Sequence, residues 1–216
     1  MIDILNEVDA IQRDVGTGKL AAGEAKVIRL RRTYDAPIDD VWDALTNPER
    51  IGRWFLPISG DYRLGGRYQF EGNAGGEILE CSRPNRLKVT WVYGETPEPG
   101  AASEVEVRLA PAGDKATTLE FEHTAIVPED MWSVYGPGAV GVGWDGGLLG
   151  LGLHLRGGSV GDSEAWQVSP EGRDFYTQSS KAWGEASRAA GVDDETVATY
   201  VANTTQFYAP DPGATS

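Results

Sequence analysis

The chain has 216 residues, 40% of them hydrophobic, which suits one domain of ordinary size with appendages and a real core. Its formal net charge of -14 disfavours nucleic acid or an anionic membrane surface as a partner, because either needs a basic face and none is visible. The single cysteine, Cys81, rules out an internal disulfide, a thiolate metal cluster and a redox pair.

The first fifteen residues are acidic and lack the charged start and continuous apolar run of a signal peptide, so a cytoplasmic protein is expected. Ile4, Val8, Ile11 and Val15 recur at helical spacing, which predicts an accessory helix within residues 1–25, stopped near Gly16 and Gly18. Lys26 to Tyr34 alternates as a first strand. In DAPIDDVWDALTNPERIGRWF, Pro37 and the two aspartates after it suit a helix start, and Ile38, Val41, Trp42 and Leu45 make its apolar stripe. Asn47-Pro48 ends that helix before a second short one carrying Trp54 and Phe55.

From Asp61 to Thr124 the period changes to two, with turn signals at Leu64 to Arg67, Gly72 to Gly76 and Ser82 to Arg86, the pattern of an antiparallel meander. Leu87, Val89, Trp91 and Tyr93 are predicted on one face, and Cys81 as a buried, inert thiol. Leu119, Phe121 and His123 share the apolar side of the last strand. The segment between Gly94 and Ala102 reads as a hairpin tip, and Pro128 to Gly138 as an irregular link.

Gly138 to Leu155 is the helix around which the rest is arranged. Trp144, Leu148, Leu151 and Leu155 form one apolar stripe, and Gly143, Gly147, Gly150 and His154 form a nearly bare one beside it. The six glycines between Gly141 and Gly152 cost on the order of 5 kcal/mol relative to alanine. Close approach of another backbone or of a ligand is the usual compensation. A membrane span is disfavoured, since the apolar run is short and interrupted by Asp145 and His154. A Gly/Ser linker after Arg156 leads to two helices, one starting at Ser169-Pro170-Glu171 and one at Asp193, within an extension over residues 161–216.

Strand, two short helices, a meander and a long closing helix is the order of an α+β helix-grip fold, a curved antiparallel sheet wrapped round the last helix. The stretches RRTYDAPIDDVWDALTNPERIGRWFLP, GGRYQF, GGEILEC, LKVTW and GVGWDGGLLGLGLHL resemble the SRPBCC (START-like) superfamily, within it the branch named after the activator of Hsp90 ATPase. The resemblance covers Lys26 to Arg156, inside a domain placed at residues 26–160. It implies a hydrophobic tunnel between sheet and helix. Its members range over ligand carriers, aromatase/cyclases, antibiotic-sequestering proteins and co-chaperones, and fold does not choose among them.

The expected function is therefore binding of a small hydrophobic or aromatic molecule, as carrier, sequestering protein or cyclase-like scaffold. Trp54, Phe55, Phe70, Trp91, Phe121, His123, Trp144, Gly147, Gly150 and His154 are the candidate lining. A continuous cavity of ~300 Å³ or more favours this reading. The rivals are a co-chaperone-like regulator that binds a protein partner, and an aromatase/cyclase using His123 or His154, either of which can hydrogen-bond a carbonyl or act as a base near neutral pH. No complete catalytic group is set out, so an enzyme ranks last. The eukaryotic co-chaperones carry a further N-terminal domain that the short helix here does not supply. No metal spacing such as HExxH is present, no cofactor is expected, and a monomer and a homodimer are equally compatible with the chain.

Overall fold

The computed structural model describes residues 2–93 and 103–210; the expected hairpin tip between Gly94 and Ala102 lies outside them. The fold is α+β, with nine antiparallel strands and a long closing helix. In chain order the elements are α1 (Ile4–Asp9), β1 (Gln12–Leu20), β2 (Gly23–Tyr34), α2 (Ile38–Thr46), α3 (Pro48–Trp54), β3 (Ile58–Gly60), β4 (Arg67–Phe70), β5 (Ala74–Ser82), β6 (Arg86–Thr90), β7 (Val92–Tyr93), β8 (Ser103–Pro111), β9 (Thr117–Ala125), α4 (Glu129–Tyr135), α5 (Gly138–Leu155), α6 (Ser163–Val168), α7 (Pro170–Ala189) and α8 (Asp194–Tyr208). The sheet runs β1-β2-β9-β8-β6-β5-β4-β3, with β7 also paired to β5.

Register explains the two faces of the sheet. Opposed residues in antiparallel strands share a face, so Leu30, Phe121, Val107 and Leu87 form one inward row and Ile28, His123, Val105 and Val89 the next. The outward rows carry cross-strand ion pairs instead, such as Arg29 with Asp14 and Glu122, Lys88 with Glu104, and Glu106 with Arg86, while Arg108 joins Glu106 along the same strand. A register shift between Ile78 and Glu80 leaves Leu79 unopposed and brings Cys81 opposite Leu87. Cys81 is accordingly on the inward row but at its open end. It is exposed rather than the buried thiol expected of a strand-like run.

Three other expectations change. The N-terminal helix stops at Asp9, and residues 12–20 form an edge strand in unbroken register with β2. Val15-Gly16-Thr17-Gly18 is weak helix sequence, and pairing satisfies its backbone better than an isolated helix would. The link before α5 contains helix α4, and the Gly/Ser linker is followed by the short helix α6, which Asp162 caps by accepting from the Ala165 N–H. Tyr93 is 66% exposed rather than inward, because the strand is interrupted at Trp91.

Helix α5 is sandwiched. Its front faces the sheet, with Val142, Leu148 and Leu151 in the main core. Its back is covered by α7 and α8, joined to each other where Gly184 meets Val201. The described part of the C-terminal extension thus seals the outer side of the closing helix, and among the described residues it supplies none to the pocket on the other side. Two buried ion pairs pin these layers. Asp145 on α5 is fully buried and binds Arg13 of β1 at 3.0 Å, while Ser179 and the Trp183 indole of α7 donate to the same carboxylate at 2.5 and 3.1 Å. Burial raises the Asp145 pKa, opposed by Arg13 and these donors. Glu7 of α1 joins Arg32 of β2 to Arg156 at the end of α5.

Candidate functional site

Between the front of α5 and the concave sheet lies an apolar pocket of about 210 Å³. Its walls come from three sources, each positioned by a local rule. The α2–α3 corner supplies Trp54 and Phe55. There Asn47 caps α3 with its side chain, Pro48 takes the first turn, and the Trp54 indole donates to the Ala44 carbonyl at 3.0 Å, which fixes the ring across the corner. The meander supplies alternating inward residues, including Phe70, Trp91 and Phe121. Helix α5 supplies Trp144, Gly147, Leu148 and Leu151.

The rings form one connected wall. Phe55 meets Phe70 edge-on at 5.0 Å, Phe70 lies 5.5 Å from Trp91, Trp91 4.8 Å from Trp144, and Trp144 4.2 Å from Phe121. Exposed Tyr62, Arg63, Leu64 and Cys81, with the half-buried Thr46, belong to the same lining and mark where it meets solvent.

Of the ten residues expected from sequence, Trp54, Phe55, Phe70, Trp91, Phe121, Trp144 and Gly147 line this pocket. The other three do not. A side chain at Gly150 would stand 2.7 Å from the Trp54 carbonyl, so that glycine admits the α3 backbone rather than a ligand. His154 does not point inward: its Nε2 accepts from Arg50 Nε at 3.2 Å, and Arg50 also holds Asp40 and Asp43. Desolvation, followed by the charges of Arg50 and Arg53, lowers the His154 pKa. Reading α5 as two clean stripes misplaced both residues, because the short helices α2 and α3 pack onto the end of the glycine stripe.

His123 is buried on the expected face but is fully engaged. The Trp144 indole donates to its Nδ1 at 3.0 Å, and its Nε2 lies 2.6 Å from the Ser103 hydroxyl. Since Nδ1 accepts, the neutral ring carries its proton on Nε2 and donates to Ser103. Burial lowers its pKa to about 4. It positions the Trp144 ring and has no free nitrogen with which to act as a base.

Sequence reasoning overlooked Tyr68, although the alternation in Arg67-Tyr68-Gln69-Phe70 sets Tyr68 inward with Phe70. It also overlooked the rim at Tyr62 to Leu64, whose role depends on the fold of the turn between β3 and β4. Among the described residues no cluster of three or more His, Cys, Asp or Glu side chains could hold a metal, and no helix is long and apolar enough to cross a membrane.

The profile of the family described as "Activator of Hsp90 ATPase homolog 1-like protein" matches residues 35–151, from the turn before α2 into the last part of α5. The chain belongs to this family. Membership in the AHSA1-like branch of the SRPBCC superfamily agrees with the resemblance drawn from the Pro37 to Phe55 block and the α5 glycines. Among solved structures, CalU16 from Micromonospora echinospora is 41% identical, with a TM-score of 0.66 over 82% of this chain and 98% of that one. DynU16, titled a putative protein in the dynemicin biosynthetic locus, is 25% identical with a TM-score of 0.51, covering 62% of this chain and 48% of that one. EF2215 from Enterococcus faecalis, at 16% identity and a TM-score of 0.56 over 86% of this chain and 95% of that one, shares the fold alone. No protein of curated function matches the chain.

Proposed function

We propose that the chain binds a small apolar or aromatic molecule between the sheet and α5, as a carrier or sequestering protein. The observation that carries this reading is the continuous aromatic wall from Phe55 to Phe121 around open space that reaches solvent beside Tyr62 and Leu64. At about 210 Å³ the space is smaller than the ~300 Å³ usual for drug-sized ligands. It exceeds the roughly 150 Å³ of an apolar cavity that holds benzene, which points to a ligand, or a buried part of one, of one or two fused rings. Catalysis by histidine is the weaker reading, since His123 is saturated and His154 faces Arg50. The association of DynU16 with a biosynthetic locus favours a small molecule as the bound species.

The test is native mass spectrometry of the protein purified from its own host, followed by denaturing release. A stoichiometric aromatic or apolar compound supports the proposal. An empty protein that arrives with a stable protein partner replaces it with the regulatory reading that the family description suggests. In parallel, Gly147→Leu is expected to stay folded and to lose binding of an aromatic probe, because among the described residues only Phe55, 4.0 Å away, stands near the position of its Cβ.

A further inference from the structure

If the pocket is a ligand site, the hydrogen bonds already made around it narrow the class of ligand further. Apart from the Trp91 indole N–H, the polar groups of the side chains buried in or behind its inner walls are partnered within the protein. The Tyr68 hydroxyl donates to the Thr90 carbonyl at 2.7 Å and the Trp54 indole to the Ala44 carbonyl at 3.0 Å. The Trp144 indole is taken by His123, whose other nitrogen is taken by Ser103. The remaining inner surface is aliphatic and aromatic carbon. A carbonyl, hydroxyl or charge pushed to the inner end would give up water and find at most the single Trp91 N–H in its place.

The rim differs. Among the described residues Arg63 is the one charged side chain of the lining, and it is exposed. Its Nε donates to Asp61 at 2.6 Å, while among the described residues its two Nη groups make no hydrogen bond within the protein. Thr46 and Tyr62 stand beside it in the lining. Their hydroxyls donate to the Trp42 and Ile58 carbonyls, and their oxygens can still accept.

We propose that the pocket takes a flat aromatic molecule apolar end first, with at most the Trp91 indole N–H to meet it at its inner end, and holds its polar or acidic substituent at the rim beside Arg63. This inference rests on the ligand-binding reading above, and the experiment separates the two. Isothermal titration calorimetry would compare three probes: naphthalene, naphthalene with one carboxylate, and naphthalene with a carboxylate at each end. The first two are expected to bind, and the third more weakly by about tenfold or more, because one charge would have to be buried with no counter-charge and at most one N–H donor. Arg63→Gln is expected to weaken the monocarboxylate by about threefold and to leave naphthalene unchanged, the scale of an exposed ion pair. Equal affinity for mono- and dicarboxylate, or an Arg63→Gln effect that is absent or the same for naphthalene and the monocarboxylate, overturns the proposed orientation. If none of the three binds, or if Gly147→Leu binds naphthalene as well as the wild type, the pocket itself is not the site and the reading beneath the proposal fails.

Discussion

The two sides of helix α5 use the same residue for opposite ends. On its back, a side chain at Gly141 would meet the Trp183 ring at 2.3 Å, and one at Gly138 would meet Thr204 at 2.7 Å. Glycine there lets two other helices close on the axis, and the polar group trapped beneath them, Asp145, is fully partnered. On its front, a side chain at Gly147 would have, among the described residues, only Phe55 near it, at 4.0 Å. Glycine there leaves space open. The loss of helix propensity along α5 is therefore offset by tight packing on one side, while on the other it keeps a cavity beside aromatic walls. A helix designed only for stability would have filled the second side.

The back should be the more fragile of the two. Asp145→Ala would leave the Arg13 guanidinium buried, with the Ile11 and Val8 carbonyls as its remaining partners. Removing one member of such a pair costs about 3–5 kcal/mol. The expected result is a large drop in the urea midpoint, and an unchanged midpoint would show that the network does not hold β1 and α7 against α5. Replacing Arg13 and Asp145 together by apolar residues of similar volume should recover much of the loss, because the uncompensated charge is then gone.

The front has its own dependence, on pH. His123 is held neutral with a pKa of about 4, below the ordinary 6.5, because burial penalises the imidazolium. The unfolded chain therefore takes up a proton that the folded chain refuses. The contribution of His123 is complete above the unfolded pKa and is lost as the pH falls from 6.5 toward 4. Its full extent is about 3 kcal/mol. Denaturant unfolding at about pH 7 and about pH 4.5 should show this slope in the wild type and a flatter one in His123→Gln, whose amide can still accept from Trp144 and donate to Ser103. Parallel slopes would mean that other groups carry the acid sensitivity.

What could be read in the sequence divides along the same line. The front follows periodicity: strand parity placed Phe121 and His123 inward, and helical spacing placed Trp144, Leu148 and Leu151 on one stripe, because side-chain direction along a regular element is set by the element itself. The back depends on which elements meet. Asp145 looked like a mere interruption of an apolar run, since its partners Arg13, Ser179 and Trp183 lie in segments far away along the chain. The helical spacing that runs on to Val15 and stops near Gly16 and Gly18 misses β1 for a related reason: the strand exists because β2 offers an edge, and four apolar residues at helical spacing say nothing of that edge. Cys81 escaped because it sits near the end of β5, where the lining meets solvent, and a strand-like run does not show where its cover stops. His154 and Gly150 escaped because their neighbours on α2 and α3 are set by the packing of two short helices against α5.

The sharpest comparison of the two sides is the same substitution made on each. Gly141→Ala removes a poor helix former but drives a methyl into the Trp183 ring, which is 1% exposed and has no room to swing away. Overpacking of this kind costs about 1–3 kcal/mol, enough to exceed the propensity gain. Gly147→Ala meets no such obstacle, so the propensity term should prevail and raise stability by about 0.8–1 kcal/mol while narrowing the pocket by one methyl. Thermal and urea unfolding of the two variants should thus move in opposite directions, and probe affinity should fall only for Gly147→Ala. If both variants are destabilised alike, the front of α5 is packed in solution and the open space beside Phe55 does not persist. If Gly147→Ala is stabilised and still binds the probe as well as the wild type, the ligand sits deeper, against Phe121 and Trp91, and the helix serves only as its lid.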